Sequence, residues 1–376
     1  MDLHDRTLRK SINRRRLVAG AAALVAARSA RARAQDNIVR MLCWGGYDAP
    51  AATQTFRDET GFEIHSTIIG ANDEIFLRMR ARGPGRYDLV TPQNGVVRPL
   101  AEAGLIQPID VGRLTRIASL LPAFQQPDWA MVDDQVYAVP YLWGAAPMVY
   151  NADLLARPPA RWLDLQSDDY RGLVAMHDDG LGHLRIWNRV LGAEDPVRVT
   201  TSRLADTTEL LISIKARQVM AFSPDMGAIA GILARGEASI ATVGWPAVPT
   251  MEIAQDADLR LAYPQPGAFS FCDSFCLATG APNVDAAYAL IDHMLSPEAQ
   301  GTVSAAVVRG VVNRDAVPLL DPALRGLHPY DNLDPFFELN PLLGFPPVHD
   351  DDSGIASYVD WVNAWERVRY ARMDAD

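Results

Sequence analysis

Strand-like and helix-like patterns alternate through the first third of the sequence, and this alternation limits the chain to a few folds. The predicted strands cover residues 38–43, 62–69 and 87–91. The predicted helices cover residues 48–60, 72–82 and 94–103. Asp48 and Asn72 are the predicted N-caps of the first two helices, and Gly61 is the predicted end of the first. Strands that alternate with helices form a mostly parallel sheet with right-handed crossovers.

The helical patterns continue after a long apolar stretch in the middle of the chain. Further helices are predicted at residues 202–218, 225–235, 283–295 and 358–370. A first α/β unit, a crossing segment, a second α/β unit, a return and a short tail predict a discontinuous molecule of two lobes. Such molecules close around a ligand by bending at the crossing segments. The sequence therefore predicts the α/β class, with a ligand site at the carboxyl ends of the strands.

The apolar stretch itself covers residues 137–151, YAVPYLWGAAPMVYN, and carries no charged residue. Pro140 and Pro147 lack a backbone N–H and disfavour a helix, whereas aromatic and β-branched residues favour a packed strand. The pattern alone describes a core strand equally well. The stretch is therefore either a core strand of one lobe or a segment that crosses between the lobes.

Charge is distributed unevenly along the chain. Residues 1–34 hold nine Lys and Arg against two Asp, a net charge of +7, which leaves −18 for the rest of a chain whose total is −11. An acidic body argues against nucleic acid as a partner and suits a cationic one. The three cysteines, Cys43, Cys272 and Cys276, include no CxxC pair. They are either small buried thiols or, for Cys43, paired with a cysteine of a neighbouring strand.

The first 34 residues have the features of an export signal. Three arginines at positions 14–16 precede an apolar run, residues 17–27, that is too short to span a bilayer. Ala-Arg-Ala at residues 32–34 fits a small-x-small cleavage site. The paired arginines followed by hydrophobic residues resemble a twin-arginine signal. We expect residues 1–34 to be a signal peptide of this type, with the general secretory route as the alternative, and the mature protein to be periplasmic.

Catalytic motifs are missing from the sequence, which has no G-x-S-x-G, Walker A, H-E-x-x-H or G-x-G-x-x-G pattern. We therefore expect no enzyme, no catalytic residues and no cofactor. Two alternatives, a metal-ion carrier and an exported metal-dependent enzyme, depend on His177, Asp179 and His183. The two histidines are separated by glycines in a spacing that does not place both on one helix face, so a surface loop is favoured over a metal site.

Aromatic and acidic residues give a more informative pattern, because they lie near predicted strand ends or crossing segments. An organic ammonium group is attracted to aromatic faces and, once buried, needs a carboxylate partner. Asp273 interrupts the apolar run 269–277, where a carboxylate requires a partner. Each aromatic residue taken singly is explained equally well by core packing. The candidate ligand-binding residues are Trp44, Tyr47, Gln93, Asn94, Trp143, Asp179, Trp245, Phe271 and Asp273.

Three segments resemble bacterial extracytoplasmic solute-binding proteins of the spermidine/putrescine-binding type. They are YAVPYLWGA at residues 137–145, RWLDLQSDDYRGLVAMHDD at residues 161–179 and YPQPG at residues 263–267. The resemblance implies the two-lobed periplasmic-binding-protein type II fold, in which each lobe is a mostly parallel sheet flanked by helices and two crossover strands form the hinge. The lobe boundaries that follow are residues 35–141 with 266–312 for the first lobe, and residues 142–265 with 313–376 for the second.

The resemblance also implies a function and roles for single residues. Trp44 and Tyr47 match aromatic positions that line the site, Asp179 and Asp273 each match a carboxylate that serves an amine, and Phe271 matches an aromatic that stacks on the methylene chain. The implied protein is a monomeric, periplasmic component of an ABC importer that captures a small organic amine of the putrescine type. Its implied partners are this ligand and a membrane permease, with no nucleic acid.

Several positions depart from the pattern of the polyamine binders. Gly95, Gly182 and Gly244 stand where those proteins have an aromatic residue, a second carboxylate and a tryptophan, and Trp245 follows one place later. Arg309 falls near another aromatic position. An arginine there would repel one end of a polyamine and could accept a carboxylate or phosphonate. The alternative ligand is therefore a zwitterion, such as an amino acid derivative or an aminoalkylphosphonate, bound through Arg309.

Overall fold

A computed structural model describes residues 37–349 and 353–373 of the chain. The predicted signal peptide, residues 1–34, lies outside these described residues. The strands are β1 (Ile38–Trp44), β2 (Glu63–Ile69), β3 (Leu89–Val90), β4 (Ile106–Gln107), β5 (Met131–Val132), β6 (Gln135–Val136), β7 (Val139–Ala145), β8 (Met148–Asn151), β9 (Val174–His177), β10 (Val219–Ser223), β11 (Ile240–Thr242), β12 (Leu259–Ala262), β13 (Ser270–Ala278) and β14 (Gly310–Val311).

The α-helices, numbered in the same way, lie between these strands and at the end of the chain. They are α1 (Pro50–Thr60), α2 (Asn72–Arg82), α3 (Asn94–Glu102), α4 (Pro122–Gln125), α5 (Gly180–Val190), α6 (Thr201–Gln218), α7 (Met226–Ala234), α8 (Val284–Met294), α9 (Pro297–Val307), α10 (Pro322–Gly326), α11 (Leu333–Leu339) and α12 (Tyr358–Tyr370). None of the described helices combines the length and the apolar character that a membrane crossing requires.

Two main sheets divide the described residues into two lobes, which confirms the predicted α/β class. The sheet of the first lobe has the order β14-β7-β13-β3-β1-β2, with β4 also paired to β13. The sheet of the second lobe has the order β10-β9-β11-β8-β12. Both sheets are mixed: β1 pairs in parallel with β2 and β3, and β9 with β10 and β11. The antiparallel pairs involve β7, β8, β12 and β13, the strands that lead from one lobe to the other.

Separate hydrophobic cores stabilise the two lobes. The first lobe buries Leu42, Phe56 and Leu290, and the second buries Trp187 and Trp361. Burial of apolar surface on this scale contributes about 25 cal/mol per Å². Each lobe can therefore hold its shape while the connections between the lobes bend.

The two crossovers run side by side between the lobes. The first joins β7 to β8 through Ala146, and the second enters β13 through Phe269. The Ala146 amide donates to the Phe269 carbonyl over 2.9 Å, which ties the crossovers together. The expected boundary at residues 141 and 142 lies inside β7, whose pairing with β13 continues to Ala145. The passage between the lobes thus falls at the end of β7, where the strand leaves the first sheet.

A third connection, residues 339–347, passes between the lobes and is called the strap. Asn94 of the first lobe donates to the Leu343 carbonyl over 2.9 Å, and Arg185 of the second donates to the Gly344 carbonyl over 2.6 Å. Before the strap, α11 packs its Phe336 and Phe337 rings on Trp143 in the first lobe. The part of the chain before the strap, which we expected in the second lobe, therefore contributes packing to the first.

Candidate functional site

A cleft of about 980 Å³ separates the two lobes. The first lobe contributes the end of β1, the start of β13 and the loop after β3, and the second contributes the start of α5 and the loop after β11. The strap and the start of α12 close one side with Phe345 and Tyr358. The candidate residues that line this cleft are Trp44, Tyr47, Gln93, Asp179, Trp245, Phe271, Asp273 and Arg309. The structure thus gathers residues that are far apart in the sequence.

Tyr47 lies on a tight turn directly after β1. Its amide donates to the Trp44 carbonyl over 3.2 Å, and its ring meets Tyr141 edge-on with centroids 5.5 Å apart. The Tyr141 hydroxyl in turn donates to the Tyr47 carbonyl over 3.2 Å. These contacts fix the buried Tyr47 ring, so that its hydroxyl has a defined direction.

Asp273 is the most unusual carboxylate of the cleft, because only 3% of it is exposed. The Tyr47 hydroxyl donates to its Oδ2 atom, whereas Oδ1 has no hydrogen-bond partner. Burial raises the pKa of Asp273 to about 6, although the Tyr47 hydrogen bond and the charge of Arg309 act in the opposite direction. A buried carboxylate oxygen without a partner is costly, and a donor from a ligand would remove that cost.

Arg309 lies between two aromatic rings, one from each side of the cleft. Its guanidinium carbon is 5.2 Å from the Phe271 ring centroid and 5.5 Å from that of Trp245. The Phe271 ring covers Gly144 of the neighbouring strand, where a Cβ atom would meet the ring at 2.8 Å. Because Gly144 has no side chain, the Phe271 ring can pack directly on it. The cation–π contacts then hold Arg309 in the cleft.

The residues of the metal-carrier alternative have other partners. The Asp179 carboxylate accepts from the Gly182 amide over 2.9 Å and caps α5. His183 contacts the His177 carbonyl at 3.1 Å and stacks on Trp365 at 5.2 Å, and burial lowers its pKa to about 3. Within the described residues, no three His, Cys, Asp or Glu side chains converge on one point. In the described part of the chain, His177, Asp179 and His183 are therefore not gathered into one group of three metal ligands.

Two candidate residues lie outside the cleft. Trp143 is fully buried in the core of the first lobe, where its Nε1 atom donates to the Val311 carbonyl over 3.1 Å. Asn94 is buried behind the cleft wall, donates to Leu343 of the strap and accepts from the Cys272 amide over 3.1 Å. Trp143 and Asn94 were predicted to contact the ligand. In the structure they instead support the residues behind the cleft wall.

The three glycines that differ from the pattern of the polyamine binders, Gly95, Gly182 and Gly244, are all closely packed. A Cβ atom at Gly95 would meet the Gly344 carbonyl carbon of the strap at 2.6 Å, and one at Gly182 would meet the Asp179 carboxylate at 2.6 Å. At Gly244 it would meet Val149 at 2.5 Å. Side chains at these positions are excluded by neighbouring atoms, so the cleft differs in shape from one built with an aromatic or acidic residue at each.

Further residues line the cleft although the sequence analysis did not select them, among them Asp73, Arg185, Phe345 and Tyr358. Asp73 comes from the first turn of α2 and Arg185 from the second turn of α5, whereas Phe345 and Tyr358 come from the strap and from the start of α12. The Phe345 and Tyr358 rings pack with centroids 4.8 Å apart, and burial together with Asp73 raises the pKa of Tyr358 to about 12. Arg185 had no signal in the sequence, because it lies on α5, which begins where the sequence indicated a surface loop.

Two sheets, a hinge of crossover strands and a cleft between the lobes are the features of two-lobed solute-binding proteins. The sequence pattern of the family described as bacterial extracellular solute-binding protein matches residues 51–321, well over half of the chain. The chain belongs to this family, which is a class of solute-binding proteins rather than of enzymes.

Curated relatives and a solved structure agree with this membership. The chain is 26% identical to the spermidine/putrescine-binding periplasmic protein of Escherichia coli over 314 residues, 83% of this chain and 88% of the relative. It is 24% identical to the putrescine-binding periplasmic protein PotF of the same organism, over 83% of this chain and 88% of PotF. The spermidine/putrescine ABC transporter substrate-binding protein PotD from Streptococcus pneumoniae has the same fold, with a TM-score of 0.70 at 20% identity over 89% of this chain and 98% of that one.

Proposed function

We propose that the protein is the periplasmic substrate-binding component of an ABC importer and captures a small organic amine in the cleft. The names of the curated relatives support this proposal, since they are periplasmic proteins that bind spermidine, putrescine or both. No chemical step is involved, because the cleft holds a ligand and releases it unchanged to a permease.

The observation that carries the proposal is the unpaired Oδ1 atom of Asp273 in a cleft with aromatic walls. An ammonium group supplies both a positive charge and hydrogen-bond donors, and a charged hydrogen bond of this kind contributes about 1.5–3 kcal/mol. Trp44, Tyr47 and Phe271 provide apolar and π-electron surface for the carbon chain of the same ligand.

Capture depends on the two lobes moving together. Tyr47 and Asp273 belong to the first lobe, whereas Asp179 and Trp245 belong to the second. A ligand that contacts both sets binds the closed arrangement better than the open one and shifts the equilibrium towards it. The permease would then distinguish the closed, loaded protein from the open one.

The test is the thermal stability of the purified protein with putrescine, spermidine, 4-aminobutyrate, 2-aminoethylphosphonate and ferric citrate. A ligand present at 100 times its dissociation constant stabilises the folded protein by about 2.7 kcal/mol. We expect at least one amine to raise the melting temperature of the wild type and to have a much smaller effect on Asp273→Asn. Stabilisation by ferric citrate alone, with no effect of any amine, would contradict the proposal.

A further inference from the structure

We infer that the captured amine also carries an anionic group, and that Arg185 binds this group together with Arg309. This inference rests on the proposed function, because it takes Asp273 as the site of the ammonium group. It adds a second subsite to the same cleft and narrows the ligand to a small zwitterion, such as an ω-amino acid or an aminoalkylphosphonate.

Arg185 is a buried cation in the wall of the ligand cleft. Only 4% of the residue is exposed, and its guanidinium carbon lies 5.5 Å from the Phe269 ring centroid. One nitrogen donates to the Gly344 carbonyl over 2.6 Å, but the buried Nε atom has no hydrogen-bond partner. Buried guanidinium groups normally pair with an anion in two parallel hydrogen bonds, and none of the described residues supplies such a pair here.

Asp179 is the carboxylate that acts on the charge of Arg185. Burial lowers the pKa of Arg185, and the negative charge of Asp179 partly opposes this change. That carboxylate accepts from the Gly182 amide at the start of α5, and no hydrogen bond joins it to Arg185. Burial lowers the pKa of Arg185 only to about 10, so the guanidinium group remains charged at neutral pH. A charged guanidinium group whose Nε atom has no partner therefore lies in the wall of the cleft.

The second crossover sets the order of Arg185, Arg309 and Asp273 along the cleft. Phe269, Phe271 and Asp273 alternate along the chain and all line the cleft. Arg185 lies over the first ring and Arg309 over the second, while the carboxylate of Asp273 comes third. Alternate residues of a strand are about 7 Å apart, so the carboxylate and the two cations follow one another at short intervals. This order suits a ligand whose opposite charges are joined by a short carbon chain.

The positions of the two arginines disfavour a polyamine that extends from Asp273 along this edge. Asp178 forms an ion pair with Arg369 at 3.1 Å and accepts from Trp365, so its charge is already compensated. The other carboxylates of the cleft, Asp73, Asp179 and Asp273, still outnumber the two arginines, so the position of the charges matters rather than their sum. A polyamine that extends from Asp273 along Phe271 and Phe269 would bring its second ammonium group to an arginine, and like charges in a partly buried site repel.

The test compares putrescine with 4-aminobutyrate, in which a carboxylate replaces one aminomethyl group, by calorimetric titration of the purified protein. We expect 4-aminobutyrate to bind at least about tenfold more tightly than putrescine. Arg309→Gln and Arg185→Gln should each weaken 4-aminobutyrate at least about tenfold while leaving putrescine unchanged or bound more tightly. The control is Arg189→Gln, one turn further along α5, whose side chain donates to Ala268 and Leu339 outside the cleft.

Arg185→Gln removes a hydrogen bond to the strap, so its fold is checked by circular dichroism, and Arg185→Lys keeps the charge if the glutamine variant unfolds. Arg309 is less buried and provides the second variant. Selective loss of 4-aminobutyrate binding in Arg185→Gln as well as in Arg309→Gln supports the inference, and unchanged 4-aminobutyrate binding in a folded Arg185→Gln variant overturns it. Tighter binding of putrescine than of 4-aminobutyrate, with neither arginine variant weakening 4-aminobutyrate, overturns the inference and leaves the proposed function standing. Binding of neither ligand, with no amine stabilising the protein, overturns both.

Discussion

The Tyr47 hydroxyl donates a hydrogen bond to Oδ2 of Asp273, a residue that lines the cleft, and the buried Oδ1 atom has no hydrogen-bond partner. The two residues come from the turn after β1 and from the second crossover, and both are almost fully buried. A carboxylate held in this way keeps one orientation before the ligand arrives. Less freedom is then lost on binding, which favours affinity.

Tyr47→Phe should weaken amine binding, because it removes the donor that orients Asp273 and leaves a second buried carboxylate oxygen without a partner. A buried acceptor left unsatisfied costs about 1–3 kcal/mol. We expect a lower melting temperature and a weaker affinity in calorimetric titration. Tyr170→Phe, whose residue lies outside the cleft, is the matched control and should change neither.

Trp245→Ala should reduce ligand affinity with little change in stability. The ring is 39% exposed, so little buried surface is lost, but it is the second-lobe aromatic that faces Arg309. Loss of such a π-face costs about 0.5–2 kcal/mol of binding free energy. Calorimetric titration of the ligand into Trp245→Ala measures the effect. The control is Tyr370→Ala, which removes an exposed aromatic residue of α12. Equal affinities in the two variants would exclude Trp245 from the binding site.

Ligand affinity should depend on pH through Asp273. Its pKa is raised to about 6 because burial disfavours the charged form. An ammonium group requires the ionised carboxylate, so affinity should rise with pH up to this value and then level off. At about pH 5 we expect binding roughly tenfold weaker than at neutral pH.

The same titration changes stability in the opposite direction. The unfolded carboxyl ionises at lower pH than the folded one, so the ligand-free protein should lose stability as the pH rises towards 6. Asp273→Asn should remove the dependence of both affinity and stability in this range. An unchanged pH profile in that variant would assign the titration to another group.

Gly95→Ala should destabilise the protein, because the new methyl group would meet the backbone of Gly344 at 2.6 Å. Overpacking of this kind costs about 1–3 kcal/mol. The control is Gly301→Ala on α9, where nothing lies within 4 Å of the new Cβ atom. Alanine is favoured over glycine in a helix by up to about 1 kcal/mol, so the control should be neutral or stabilising in thermal unfolding. A stable Gly95→Ala variant would mean that the strap does not pack as described.

Much of the local structure could be predicted from the sequence, because periodic burial sets it. The last helix occupies residues 358–370 as predicted, with Trp361, Trp365 and Val368 buried on one face. The first helix ends at Gly61, which adopts φ 71°. The caps at Asp48 and Asn72 were wrong, since neither helix has a side-chain cap and Asn72 instead donates to Gln93 across 3.0 Å. A polar side chain can form its hydrogen bond with a residue far away in the sequence, and a local sequence pattern does not reveal that partner.

The candidate site was predictable only in part. The residues at strand ends, such as Trp44 and Tyr47, reach the cleft because of the sheet topology. Trp143 could not be assigned, since every residue of β7 is buried and the strand shows no alternation between its faces. Phe345 joins the site through the strap, whose path depends on the packing of both lobes rather than on a sequence pattern.

The most direct test of the proposed capture is calorimetric titration of the best-stabilising amine into the wild type, Asp273→Asn and Asp285→Asn. Asp285 lies on α8 with 97% of its side chain exposed, so its variant makes the same change of charge away from the cleft. We predict one ligand per chain, a loss of about tenfold to a hundredfold in affinity for Asp273→Asn, and wild-type affinity for Asp285→Asn. Wild-type affinity in Asp273→Asn would contradict the central role of this carboxylate.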